Sequence, residues 1–161
     1  MTAIPKIRLF LILLYLAAFV CSCNRKNDVI PDTYVSFEID LYDPEFVELL
    51  SIGGSVYVDA STNNFGSRAA GFAGNGIIIT QGPANEFYAY DRTCPHDYSE
   101  NGQAIRVNLD QTYFTMANCP ECGSFFELMA AGTPVDSAIS RYPLKNYRTI
   151  LNGSHVFVSN Y

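Results

Sequence analysis

An all-β fold is predicted for this chain on three observations. Apolar residues recur at every second position in short runs, each run is bounded by turn formers, and no 3.6-residue periodicity lasts long enough for a helical bundle. Val35, Phe37, Ile39 and Leu41 alternate with Ser36, Glu38 and Asp40, the pattern of a strand with one buried face. Similar runs follow at Ser55–Asp59, Gly76–Thr80, Glu86–Asp91, Ala104–Leu109, Thr112–Ala117 and His155–Ser159, bounded by Gly, Pro, Asn or Asp. Leu109-Asp110-Gln111-Thr112 and Leu151-Asn152-Gly153-Ser154 read as hairpin turns, and only Pro44–Leu50 could carry a helical turn. Glycines 66, 71, 74 and 76 lie in a stretch without the Gly-Lys-Ser/Thr ending of a phosphate loop, so they are assigned to a turn-rich connection.

Length and composition restrict the function. The 161 residues leave room for one domain, and a hydrophobic content of 48% against 16% charged is enough to bury a core. Ten Lys and Arg against 16 Asp and Glu give a net charge of −6, which provides no basic surface for phosphates; no nucleic-acid partner is expected. With only His96 and His155 present, a two-histidine, one-carboxylate iron site cannot coexist with another histidine-dependent centre.

Residues 1–22 have the layout of a secretory leader: Lys6 and Arg8, an apolar run from Leu9 to Val20, then Cys21-Ser22-Cys23. The run is short for a membrane span, which needs about 20 residues. Val20-Cys21-Ser22-Cys23 resembles a bacterial lipobox, with Cys23 as the expected lipid-anchored residue and Cys21 as part of the discarded leader. The expected organisation is a signal peptide over 1–22, a lipidated N-terminus and polar linker over 23–33, and one domain over 34–161. The protein is thereby expected to be an exported lipoprotein, periplasmic or outer-membrane-associated, held to the bilayer through Cys23.

The remaining cysteines fall in two short segments, Cys94-Pro95-His96 and Cys119-Pro120-Glu121-Cys122-Gly123, each following a predicted strand. Two turns at one end of a sheet could pinch a metal centre between them. Thiolate sulfur and imidazole nitrogen select iron–sulfur clusters, zinc or copper(I) over hard cations such as calcium and magnesium.

These segments resemble the Rieske family, whose pattern is C-x-H, a spacer, then C-x-x-H-G-S. The resemblance extends to Gly53–Val58 and Glu86–Thr93 upstream, and to Gly123–Phe126, Gly132–Val135 and Tyr142–Tyr147 downstream. It implies a small β-sandwich with a two-loop subdomain clamping a [2Fe–2S] cluster, an electron carrier that serves an unknown redox partner protein. Cys94 and Cys119 would hold the inner iron, and His96 and Cys122 the outer one. Two departures stand out. Cys122 occupies the place of the second histidine, giving Cys3His, and the spacer over residues 97–118 is longer than is usual in the family.

Two imidazoles raise a Rieske potential to about −150 to +300 mV, against about −400 mV for plant-type ferredoxins. A third thiolate therefore implies an intermediate or low value. Phe126, where high-potential members carry a hydroxyl-donating tyrosine, implies the same, whereas Gly123 shapes the loop and Ser124 retains a donor near the ligands. Two other readings stay open from the residues: a closed, structural zinc site made by the same four side chains in a binding module, and a redox-active Cys119/Cys122 thiol pair. The leader lacks a twin arginine, which favours zinc because a route that threads unfolded chain would not carry an assembled cluster. The thiol-pair reading expects a βαβ setting that the sequence does not suggest.

Overall fold

The computed structural model describes residues 29–62, 65 and 69–160. The expected leader and the lipid-anchor position Cys23 lie outside these residues, as does the first part of the linker. Among the described residues, no helix is long and apolar enough to cross a membrane.

The all-β expectation holds. Among the described residues, ten strands form two antiparallel sheets. The larger runs β1-β10-β9-β4-β3-β2, from β1 (Ser36–Asp40), β2 (Ser55–Val58), β3 (Ile77–Gln81), β4 (Phe87–Asp91), β9 (Asn146–Asn152) and β10 (His155–Ser159). The smaller runs β5-β6-β7-β8, from β5 (Asn108–Leu109), β6 (Met116–Asn118), β7 (Phe125–Glu127) and β8 (Thr133–Pro134). Pro44–Leu50 forms the expected helical turn, of the 3-10 type, and tucks Phe46 and Leu49 into the core.

Among the described residues, two buried clusters hold most of the buried hydrophobic side chains. The first gathers inward-facing side chains of the large sheet: Val35, Phe37 and Ile39 with Ile77, Ile79, Ala89, Val156 and Val158. The second lies between the large sheet and the small one and contains Ile78, Tyr90, Val107, Ala117, Phe126, Leu128 and Leu144, together with Cys94 and Cys119. This explains the unbroken Ile77-Ile78-Ile79 run: β3 is covered on both faces, so neither side of it needs polar residues.

Where the strands depart from expectation, a specific turn or connection intervenes. Asp110 accepts from the amides of Thr112 and Tyr113, both at 2.8 Å, and this wider turn consumes the start of the predicted Thr112–Ala117 strand. Pairing resumes only at Met116, opposite Glu127. The predicted Ala104–Leu109 strand shrinks to two residues, but its first part runs beside Arg92–Cys94, where Val107 N donates to Arg92 O (2.7 Å) and Cys94 N to Ile105 O (2.8 Å). The β9–β10 hairpin closes as expected, with Asn152 opposite His155 and Gly153 at φ 63°. Within the expected linker, Ile30 is already buried, and its carbonyl accepts from Lys145 Nζ (2.8 Å), which also meets Asp32 at 2.6 Å.

Asp91, at the end of β4, ties these parts together. Fully buried, it accepts from Tyr147 Oη (2.7 Å) and Phe72 N (2.6 Å) through Oδ2, and from Thr93 N (2.9 Å) through Oδ1. Gly71 passes so close that an added Cβ would lie 2.9 Å from Oδ2, and its φ of 66° favours glycine independently. Burial, reinforced by the Asp91 charge, pushes the Tyr147 phenol well above its ordinary pKa, so it remains a donor. Asp91→Ala should strand three donors in the interior and cost about 3 kcal/mol in urea melts, whereas Asp91→Asn, which keeps one acceptor, should cost less. Equal stability of Asp91→Ala and the parent would contradict this role.

Candidate metal centre

Two short segments form the site, each anchored by the backbone. In the first, Cys94 follows β4 and caps a short helix, α1 (Pro95–Asn101). Proline at the first helical position suits a helix start because its missing N–H has no intrahelical partner there. The chain therefore turns into a helix where the sequence reading places an irregular loop. At about 100° per residue, Asp97 returns to within one-sixth of a turn of Cys94, while His96 lies on the other side. In the second segment, Cys119 N donates to Ser124 O (2.9 Å) and Gly123 N to Cys119 O (3.0 Å). Gly123 sits at φ 70°, a left-handed conformation that a side chain would strain.

The segments meet. Ligand atoms of Cys94, Asp97, Cys119 and Cys122 all lie within 4.8 Å of one another. Cys94 Sγ is 3.7 Å from Cys122 Sγ, and the Cys119 thiol donates to Asp97 Oδ2 at 2.9 Å. Cys94, Cys119 and Asp97 are buried, and Cys122 is the half-exposed member. All three thiols are free.

Of the four expected ligands, the structure thus brings together the three cysteines. His96 stands outside the converging set and lines a cavity of about 300 Å³ with Ser99, Glu100, Ile139, Arg141 and Tyr142. The group in the fourth position is the Asp97 carboxylate, which is not among the four residues expected from the sequence. Its signal is nevertheless present: Pro95 at the first position and an acidic residue in the first turn mark a helix start, and a helix places residues 94 and 97 together.

The expected neighbours lie around the sulfurs. Ser124 is fully buried; its Oγ accepts from the Cys122 thiol (3.2 Å) and from Ser140 N (3.0 Å). Phe126 is fully buried in the second core cluster, which also holds Cys94 and Cys119, and brings no polar group to the site.

The thiols influence one another's protons. The hydrogen bond between Cys94 and Cys119 and the burial of Cys94 push that thiol up. The same bond lowers Cys119 to about 7, with further help from the amides of Cys122 and Glu121. Burial raises Cys122. Burial alone would also raise Asp97, but hydrogen bonds from Cys119, Cys94 and Cys122 outweigh it and hold the carboxyl below the ordinary carboxylate range.

The donors fit a thiolate-bound transition metal. Three sulfurs are soft ligands, and the single carboxylate is far short of the six or more oxygens calcium takes. Metal–sulfur bonds of about 2.3 Å in a tetrahedron give sulfur–sulfur edges of about 3.8 Å, close to the Cys94–Cys122 separation. The thioredoxin-like setting is absent among the described residues, where every sheet pairing is antiparallel.

No protein-family model matches the chain, and no curated protein does. Among solved structures, it is similar to the ferredoxin of carbazole 1,9a-dioxygenase from Nocardioides aromaticivorans IC177, at 15% identity and a TM-score of 0.45 over 81% of this chain and 100% of that one. A second likeness is to the cyanobacterial plasma membrane Rieske protein from Synechocystis PCC 6803, with 21% identity, a TM-score of 0.41 and 55% and 80% of the two chains covered. The complex of reduced oxygenase and oxidized ferredoxin in carbazole 1,9a-dioxygenase gives 18% identity and a TM-score of 0.41, over 68% and 83%. Likeness at these levels concerns shape, so the functional reading rests on this chain's own side chains.

Ser124 provides a direct check on the site's construction. Ser124→Ala removes the acceptor shared by Cys122 and the buried Ser140 amide. It should cost about 1–3 kcal/mol and speed hydrogen exchange at Ser140 N, without changing the number of thiols. Unaltered exchange at that amide would contradict the assignment.

Proposed function

We propose that the protein is an electron carrier that binds iron through Cys94, Cys119 and Cys122, in a [2Fe–2S] cluster of Rieske-like type. The observation that carries this reading is the convergence of three free thiols, from two separately anchored segments, on one point beside the small sheet. Bound there, such a cluster supplies reversible one-electron chemistry. The protein's own contributions are distinct. Cys94 and Cys119 hold the buried side, Cys122 brings the centre to the surface, and Ser124 orients the Cys122 sulfur. With thiolates in place of imidazoles, the ligand set is more anionic than a two-histidine one, which favours the oxidised form and a potential below the high Rieske range.

The reading requires a redox partner protein, because the chain has no nucleotide fingerprint of its own to deliver or remove electrons. It also includes the leader: export, lipidation at Cys23, and a domain held close to a bilayer outside the cytoplasm. The acidic charge balance suits a partner with a basic docking face.

One observation favours a second reading. A two-iron core shares its ligands between two metals and so needs its ligand pairs well separated, whereas all four donor atoms here lie within 4.8 Å. That compactness suits a single tetrahedral zinc ion with a structural role.

Purified protein distinguishes the two. The electron-carrier reading predicts a coloured protein with iron and acid-labile sulfide, a visible spectrum that bleaches reversibly on one-electron reduction, and loss of both colour and iron in Cys119→Ser. A colourless protein holding one zinc, with no redox response, would overturn it.

A further inference from the structure

We infer that Asp97, and not His96, is the fourth protein ligand of this centre. The inference rests on the metal-centre reading above and names a ligand which that reading leaves open.

Placement is the first argument. Asp97 is 3% exposed, and its carboxylate lies within 4.8 Å of all three sulfurs, whereas His96 projects from the other side of α1 into the cavity with Arg141 and Tyr142. The offset is built into the backbone, since one residue along a helix changes the face by about 100°.

Charge is the second. A buried carboxylate is costly unless it is paired or bound to a metal. Among the described residues no lysine or arginine pairs with Asp97, and it accepts from the Cys119 thiol at 2.9 Å. A metal centre bound by all four groups supplies the positive charge that the buried carboxylate needs, with three thiolates and one carboxylate as ligands and the thiol protons released to solvent.

Cobalt(II), a spectroscopic stand-in for iron or zinc, tests the assignment on the full chain. Titration of the metal-free protein with cobalt(II) alone should give the visible bands of a tetrahedral thiolate complex. His96→Ala should retain those bands and bind within about twofold of the parent affinity. Asp97→Asn, nearly the same shape, should bind at least about tenfold more weakly and shift the bands, because even residues outside the ligand set typically cost 10–100-fold. Asp97→Cys should restore binding and raise the sulfur-to-cobalt charge-transfer intensity by about one-third, one sulfur added to three. Unchanged bands and affinity in Asp97→Asn, with loss of both in His96→Ala, would overturn the assignment while leaving the metal centre intact. Failure of the parent protein, its three thiols free, to bind cobalt(II) would overturn the four-ligand assignment, while the iron, sulfide and colour of the purified protein decide the electron-carrier reading separately.

Discussion

The structure depends on one constraint, that three sulfurs from two distant stretches of chain are held at one point without a covalent link. Backbone hydrogen bonds achieve this before any metal is considered. Cys94 N is fixed to Ile105 O, and Cys119 N to Ser124 O, so both cysteines are positioned by main-chain geometry rather than by flexible side chains. The half-buried Cys122 then follows from the tight turn that Gly123 permits. Much of the small sheet serves this arrangement: it is too short to form a core alone and draws its apolar contacts from the outer faces of β3 and β4, through Ile78 and Tyr90.

The site is joined to the large sheet by buried polar contacts as well as apolar ones. Asp91 links β4 to β9 through Tyr147 and to the segment leading into Cys94 through Thr93. Tyr90 Oη donates to Leu128 O at 2.6 Å, binding β4 to the chain just beyond β7. Arg92 donates to Val107 O (3.1 Å) and Asn108 Oδ1 (3.0 Å) while its guanidinium stacks 3.7 Å above the Tyr57 ring. Since buried polar groups tolerate little displacement once paired, these contacts fix the orientation of the two sheets more tightly than apolar packing would.

The sequence reveals the large sheet well because its strands follow simple rules. β1 and β10 have a buried alternation, and β2, β3 and β4 are short apolar runs bounded by turn residues. β9 is harder to see. It is mostly exposed, and Thr149-Ile150-Leu151 breaks the alternation that would mark it. β7 and β8 are three and two residues long, and no periodicity can be read over such lengths. At the site, the cysteines are legible from type and spacing alone. The fourth group is not, because its identity depends on backbone conformation. Read as a loop, Cys94-Pro95-His96 presents the histidine, whereas the same residues opening α1 present Asp97. One turn of helix changes the chemistry of the site while leaving the motif untouched.

X-ray absorption at the edge of the bound metal tests the central claim most directly, because it counts the donor atoms. The account predicts a sulfur shell at about 2.3 Å together with one oxygen donor at about 2.0–2.2 Å. A shell of oxygen and nitrogen alone, with Cys94, Cys119 and Cys122 still free thiols in the same sample, would contradict it.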